Sequence, residues 1–361
     1  DINADLKPFK DLTIELAANK TYTRNQAQQI DAIRNTNSSA EFNELPVNET
    51  GNFAISYFML PMSFDGNGDA TFEKFKQNRA IIRQRLAESE NASPDGFGLN
   101  SQQVLIPAFL ATYSGQDAGK VRLSAFRNIP IPGWRLNYRG FMNFAWFKKH
   151  FSSFTVEHGY QSTYSIIGFN NNLLYNAENP YGDPNNLTGS GDYQPEKIFN
   201  GLNLIELFNP LVKIDFRLKS SLSFNLELKT DKQLSLNVNN NTLTEVRGKE
   251  YVAGIGYRFK DVRFKLKTGE KLTTFKGDIN LKANLSIRNN STVVRSIDIE
   301  NNQVTGGQNM FAIKLQADYA LNKNLLASFF YDQNSSRFLI STTFPRKSIN
   351  AGITLRYTIG N

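Results

Sequence analysis

The sequence predicts an all-β protein: a transmembrane antiparallel β-barrel wall of roughly ten to twelve strands, carrying a small, partly helical insertion. Three observations lead there. From about residue 205 onward, apolar and polar residues alternate with period two, as strands with one wet and one apolar face require. Several runs extend for ~15–20 residues, against a usual ~5–6 in globular sheets. No stretch approaches the ~20 apolar residues of a membrane helix, and mean hydropathy is negative. That excludes a helical membrane protein but not a barrel, whose strands turn only alternate residues to lipid.

Residues 1–64 read as barrel strands. Leu12, Ile14, Leu16 and Ala18 alternate in one, and Phe53, Ile55, Tyr57 and Met59 in another. The polar stretch Asn25–Asn52 between them is a loop or a set of strand extensions.

Residues 65–126 read as the insertion. A helix is expected from about Asp69 to Glu88, capped by Asp69 or Thr71, with Phe72, Phe75, Ile82 and Leu86 on one side. Its other side holds Lys74, Lys76, Arg79, Arg83 and Arg85, a solvated or lumen-facing surface or a contact for anionic headgroups. Ser101–Tyr113 is a second helix candidate, made less regular by Pro107, and Val121–Phe126 a short strand.

Residues 127–361 return to the wall. Trp134, Leu136 and Tyr138 resume the alternation. Asn143–His150 sets Phe144, Trp146 and Phe147 beside Lys148 and Lys149, which suits a membrane–water boundary or an ordinary turn. Phe154 to Tyr164 forms a strand, and the Asn-, Gly- and Pro-rich span Asn170–Lys197 a solvent-exposed loop. Seven further strands run to Ile359. Short turns at Lys219–Ser221 and Asn322–Asn324 alternate with longer loops at Val238–Arg247 and Asn301–Gln308, an asymmetry that barrels share. A secreted β-sandwich would have shorter strands with turns every ~8–12 residues, and no fixed repeat suggests a solenoid.

Little in the chain suggests chemistry. There are no cysteines and two histidines, His150 and His158; neither has a nucleophile elbow. Asp65-Gly66-Asn67-Gly68-Asp69 lacks the ligand pattern of a calcium loop and reads as a capped turn. Gly96-Phe97-Gly98 has no strand–helix phosphate context. The net charge of +8 has no dense basic block behind it, so no nucleic-acid partner is expected. No catalytic, cofactor or metal residues are expected. Asp1 opens no secretory leader pattern, and the chain reads as mature, cleaved or a fragment.

Four blocks are more specific: FEKFKQNRAIIRQRL, GFGLNSQQVLIPAFLATYSG, FRNIPIPGWRLNYRGF and WFKKHFSSFTVEHGYQSTYSI. In this order they resemble the C-terminal region of the SprA/Sov family, the outer-membrane translocon of the Bacteroidetes type 9 secretion system. The matching positions are Asn78 and Arg79 in a helix; Gln103, Pro107 and Phe109 in the block after it; Pro130, Pro132, Trp134 and Tyr138; then His158 with Ser162-Thr163-Tyr164. The resemblance implies one arc of a far larger barrel, of about 36 strands, that conducts folded cargo proteins and supports gliding motility. The implied partners are the remainder of that barrel, a PorV-type outer-membrane shuttle protein, a periplasmic plug protein, secreted cargo and outer-membrane lipid. A free-standing porin and a secreted β-sandwich adhesin are the alternatives.

Overall fold

The computed structural model describes residues 1–34, 40–183, 186–268, 271–298, 302–320, 324–340 and 344–359. Of the expected turn at Asn322–Asn324, residues 322 and 323 lie outside them, as does residue 301 of the expected loop at 301–308. Six strands come first: β1 (Ile2–Phe9), β2 (Leu12–Ala18), β3 (Lys20–Ala27), β4 (Ile30–Arg34), β5 (Ala40–Glu44) and β6 (Asn48–Ser56). Helices α1 (Gly68–Glu90) and α2 (Gln102–Ser114) follow, then β7 (Gly133–Tyr138) and the short α3 (Ala145–His150). Long strands complete the chain: β8 (Phe151–Asn171), β9 (Lys197–Leu218), β10 (Ser223–Asn237), β11 (Thr242–Thr268), β12 (Lys271–Ser296), β13 (Asn302–Ala320), β14 (Leu325–Phe338) and β15 (Arg346–Tyr357).

Thirteen of these strands form one antiparallel sheet. Its main path crosses eleven strands, β1-β2-β7-β8-β9-β10-β11-β12-β13-β14-β15. Among the described residues β1 and β15 stand at the two ends and do not pair with each other. The expected antiparallel sheet is therefore present, as an open wall.

The wall has a composite strand. β6 pairs with the upper half of β8, from Thr50↔Asn170 to Ser56↔Thr163. β7 pairs with the lower half, from Trp134↔Tyr160 to Tyr138↔Val156. Both run in the same direction, so β6 and β7 are collinear halves of one strand, and the chain between Ser56 and Gly133 leaves and re-enters the wall in mid-strand. The Ile131 N–H donates to the Ser56 carbonyl at 3.0 Å, joining the halves. A Cβ at Gly133 would lie 2.6 Å from the Tyr160 carbonyl oxygen, so the strand can resume this close to β8 only with glycine.

Register fixes the faces. On one face, Tyr251, Ile287 and Phe311 stand opposite one another at one level, and Phe259, Ile279 and Tyr319 at another. Between them every second residue of β11, β12 and β13 is apolar, and many are exposed: Ile255 45%, Leu281 39%, Leu315 39%. The same belt continues through Val212, Leu226, Phe329 and Ile353. The opposite face is polar and laced with ion pairs. Lys213 bridges Glu157 (3.3 Å) and Asp215 (2.8 Å), and Arg288 reaches Asp231 (2.7 Å) and Glu250 (3.6 Å).

Above the belt, on the same face, the insertion packs on the wall. Phe72, Phe75, Phe109 and Leu110 share one buried cluster with Leu202, Leu204, Leu234, Leu236 and Leu243. This packing explains several departures from expectation. Leu243, Glu245 and Arg247 carry the inward face of an ordered strand under the helices, so the expected loop at 238–247 shrinks to the residues between Asn237 and Thr242. β13 likewise begins at Asn302, within the expected loop at 301–308. The described residues of the stretch Asn25–Asn52 form extensions: β3 pairs with β6, and β4 with β5.

Val121–Phe126 is not a strand. Its carbonyls meet side-chain donors instead of a partner strand: Arg85 donates to Val121, and Arg127 to Arg122 and Ser124. The expected basic face of α1 is largely taken up inside the insertion in the same way. Arg79 is buried, and Arg83 pairs with Asp95. The cap of α1 is neither Asp69 nor Thr71 but Asn67, whose side chain accepts the Ala70 N–H at 3.0 Å. The described residues of the loop after β8 fold back on the insertion, with Tyr181 and Tyr193 packed on Phe97 and Asp192 accepting the Gly98 N–H at 2.7 Å.

Candidate functional site

The positions singled out in the sequence fall into two groups rather than one site. The first holds the helix pair together. Asn78 donates to the Thr112 hydroxyl at 2.8 Å. Arg79 donates to Asn100, while its buried Nε has no partner among the described residues. Burial works against the charge of Arg79, and Asp298 partly offsets that. Phe109 is wedged between Phe75 and Tyr113, with ring centroids 6.4 and 5.3 Å apart. Pro107 sits inside α2, where it removes one helical hydrogen bond. With Gln103 it lines a cleft of about 460 Å³ walled by Phe97, Phe126, Phe199, Tyr175 and Tyr181.

The second group lies at the re-entry into the wall. Pro130 and Pro132 lead to β7. Trp134 stacks on Tyr160 at 4.6 Å, and Tyr138 meets Phe141 edge-on at 5.2 Å. His158 Nδ1 lies 2.6 Å from the Leu211 carbonyl, with the Trp134 and Phe208 rings beside it. Among the described residues, no three His, Asp or Glu side chains gather as a metal site requires.

Between the two groups lies a constellation that the sequence reading missed. Glu206 (β9), Lys232 (β10), Glu245 (β11) and Arg295 (β12) are all buried. Glu206 stands opposite Lys232, and Lys232 opposite Arg247. Together they hold the segment that leads into α1. Arg295 spans Glu245 (2.7 Å) and Asp69 (2.9 Å) and covers the Phe72 ring at 5.8 Å. Arg247 pairs with Glu245 and donates to the Asp65 carbonyl at 2.5 Å. Lys232 donates to the Met62 carbonyl at 3.2 Å and covers Tyr113. Ser63 donates to Glu206 at 2.6 Å.

The electrostatics follow from this packing. Burial opposes ionisation of Asp65, but hydrogen bonds from Thr71 and the Asn67 N–H, with Lys232 and Arg247 nearby, outweigh it; its carboxyl is held below the ordinary range. Burial pushes the Tyr113 phenol well above its usual value. The arrangement is built to hold a helical unit against a sheet, since its charged groups are used on one another and on backbone carbonyls. Its sequence signal is a run of charges on the face that alternation marks apolar: Glu206, Lys232, Glu245, Arg247 and Arg295.

No protein-family model matches the chain, and a search of the curated proteins finds no match.

Proposed function

We propose that this chain is part of the wall of an outer-membrane β-barrel, the C-terminal arc of a protein-conducting channel like the type 9 translocon that its motif blocks resemble. The observation that carries the reading is the two-faced wall. Its apolar belt is nine residues tall on β11, β12 and β13, as the ~9–11 residues of a membrane strand require. At ~3.4 Å per residue that is about 27 Å along the strand, close to the ~25 Å apolar band of such barrels once tilt is allowed for. The other face supplies charges and hydrogen-bonding groups for a water-filled lumen.

Aromatic rings where β8 begins and β9 ends support the same reading. Phe141, Phe147, Phe151, Phe154 and Phe216 form a continuous set of ring contacts. Phe144 and Trp146 beside them are 60% exposed and stand next to Lys148 and Lys149, as at a membrane–water boundary. Open edges at β1 and β15 favour an arc over a small closed barrel, because lipid tolerates no unpaired strand. On this reading the remainder of the barrel covers both edges, a PorV-type shuttle and a periplasmic plug are partners, and folded cargo crosses without touching lipid. The chain acts without a cofactor and without catalysis.

Photo-crosslinkers placed in β1 and β15 of the assembled cell-envelope particle test this. The arc predicts that each strand links to a different neighbouring strand of a larger barrel. Mutual linkage of β1 to β15, in a particle no larger than one small barrel, would overturn it in favour of a free-standing porin. Partition of the chain to the aqueous phase would leave a secreted adhesin.

A further inference from the structure

The upper margin of the belt carries a row of hydrogen-bond donors without side-chain partners among the described residues. Lys249 stands opposite Asn289, Asn289 opposite Asn309, and Asn309 opposite Arg337. All four are exposed, and all lie on the apolar face, one alternation step above Tyr251, Ile287 and Phe311. Lys347, also exposed, follows opposite Ser335, next to the belt residue Ile349.

The cations of this row differ from their neighbours. On the polar face Lys213 and Arg288 are tied into ion pairs. At the insertion Arg247 pairs with Glu245, and Arg295 with Glu245 and Asp69. Lys249, Arg337 and Lys347 have no ion-pair partner among the described residues, and the row contains no carboxylate. The Lys249 ammonium instead lies 5.2 Å from the centroid of the Tyr251 ring at the top of the belt. An aromatic ring on the apolar side with a cation just beyond it is the arrangement of a headgroup boundary. Asn289 and Asn309 add neutral donors for further anionic oxygens.

Resting on the membrane reading above, we infer that this margin is a binding site for the phosphate groups of anionic lipids, with Lys249, Arg337 and Lys347 as its cations. The occupant is fixed by charge and by continuity with the belt. A lipid whose tails lie on Tyr251, Ile287 and Phe311 brings its headgroup to this row. The site also replaces the one suggested by the basic helix, whose arginines are used inside the insertion.

The test uses the assembled cell-envelope particle that contains this chain, reconstituted in phosphatidylcholine nanodiscs with and without phosphatidylglycerol, reading the immobilised fraction of each spin-labelled lipid. The chain should prefer phosphatidylglycerol. Lys249→Gln, Arg337→Gln and Lys347→Gln should each lower that preference by about fivefold, the effect of ~1 kcal/mol per surface cation, and together abolish it. The opposite-face set Lys282→Gln, Arg356→Gln and Lys314→Gln removes the same charge and should leave the preference intact. An unchanged preference in the first set, or an equal loss in the second, overturns the inference while the belt still immobilises phosphatidylcholine. If neither lipid is immobilised, the membrane reading fails first and the site falls with it.

Discussion

Arg295 is a residue whose removal the structure makes costly. It is 4% exposed and its main partner, Glu245, 3% exposed. Breaking a buried pair leaves one charge without compensation, and that costs more than the pair itself contributes. Arg295→Met should therefore destabilise docking of the insertion by about 3 kcal/mol or more, read as faster hydrogen exchange along α1. Arg295→Met combined with Glu245→Leu removes both charges and should recover much of that loss. A double variant as weak as the single one would mean that the contact to Asp69 dominates instead. At this scale little was legible in advance. A charge at an inward strand position looks the same in sequence as a charge at the end of a strand. Only the helices above it reveal that Glu245 and Arg295 are covered.

At the scale of elements, alternation located β2 and the strands from β6 onward, passed over β1, and missed how β6 and β7 divide one strand between them. Trp134, Leu136 and Tyr138 announce β7, but nothing local says that β7 continues β6 across the residues between Ser56 and Gly133. That fact resides in pairing with β8, which is a long-range contact. Helix limits were legible because Phe72, Phe75, Ile82 and Leu86 repeat at helical spacing. Val121–Phe126 was misread because its alternation serves packing while Arg85 and Arg127 satisfy its carbonyls. The docking of α1 should also respond to acid. Asp65 is held below the ordinary aspartate value of 3.8, so its ionised form is favoured by the folded state. Its contribution is complete above that value and is lost as pH falls through the lower folded one. Protease access at the start of α1 should accordingly be low at neutral pH and rise below about pH 4. Asp65→Asn should give more access at neutral pH and a smaller acid step. An acid step of the same size in that variant would assign it to other carboxylates.

For the whole molecule, the argument turns on which face meets lipid. The two faces differ by one residue along any strand, so the prediction has a period of two that no soluble arrangement with one covered face reproduces in a bilayer. The chain has no cysteine, which makes single labels unambiguous. Nitroxides at Ala253, Ile255 and Tyr257 should respond to oxygen dissolved in the bilayer, and those at Gly254 and Gly256 between them to a water-soluble relaxer. On β12 the order follows from register: Ala283 and Leu285 on the lipid side, Asn284 and Ser286 on the other. Above Lys249 the same face should leave the lipid pattern and become inaccessible to both reagents at Glu245, where the insertion covers it. Moving along β11 from Tyr257 to Glu245, one strand would then report lipid, headgroup margin and protein interior in turn. A soluble sandwich gives water access or burial at these positions and oxygen enrichment at none.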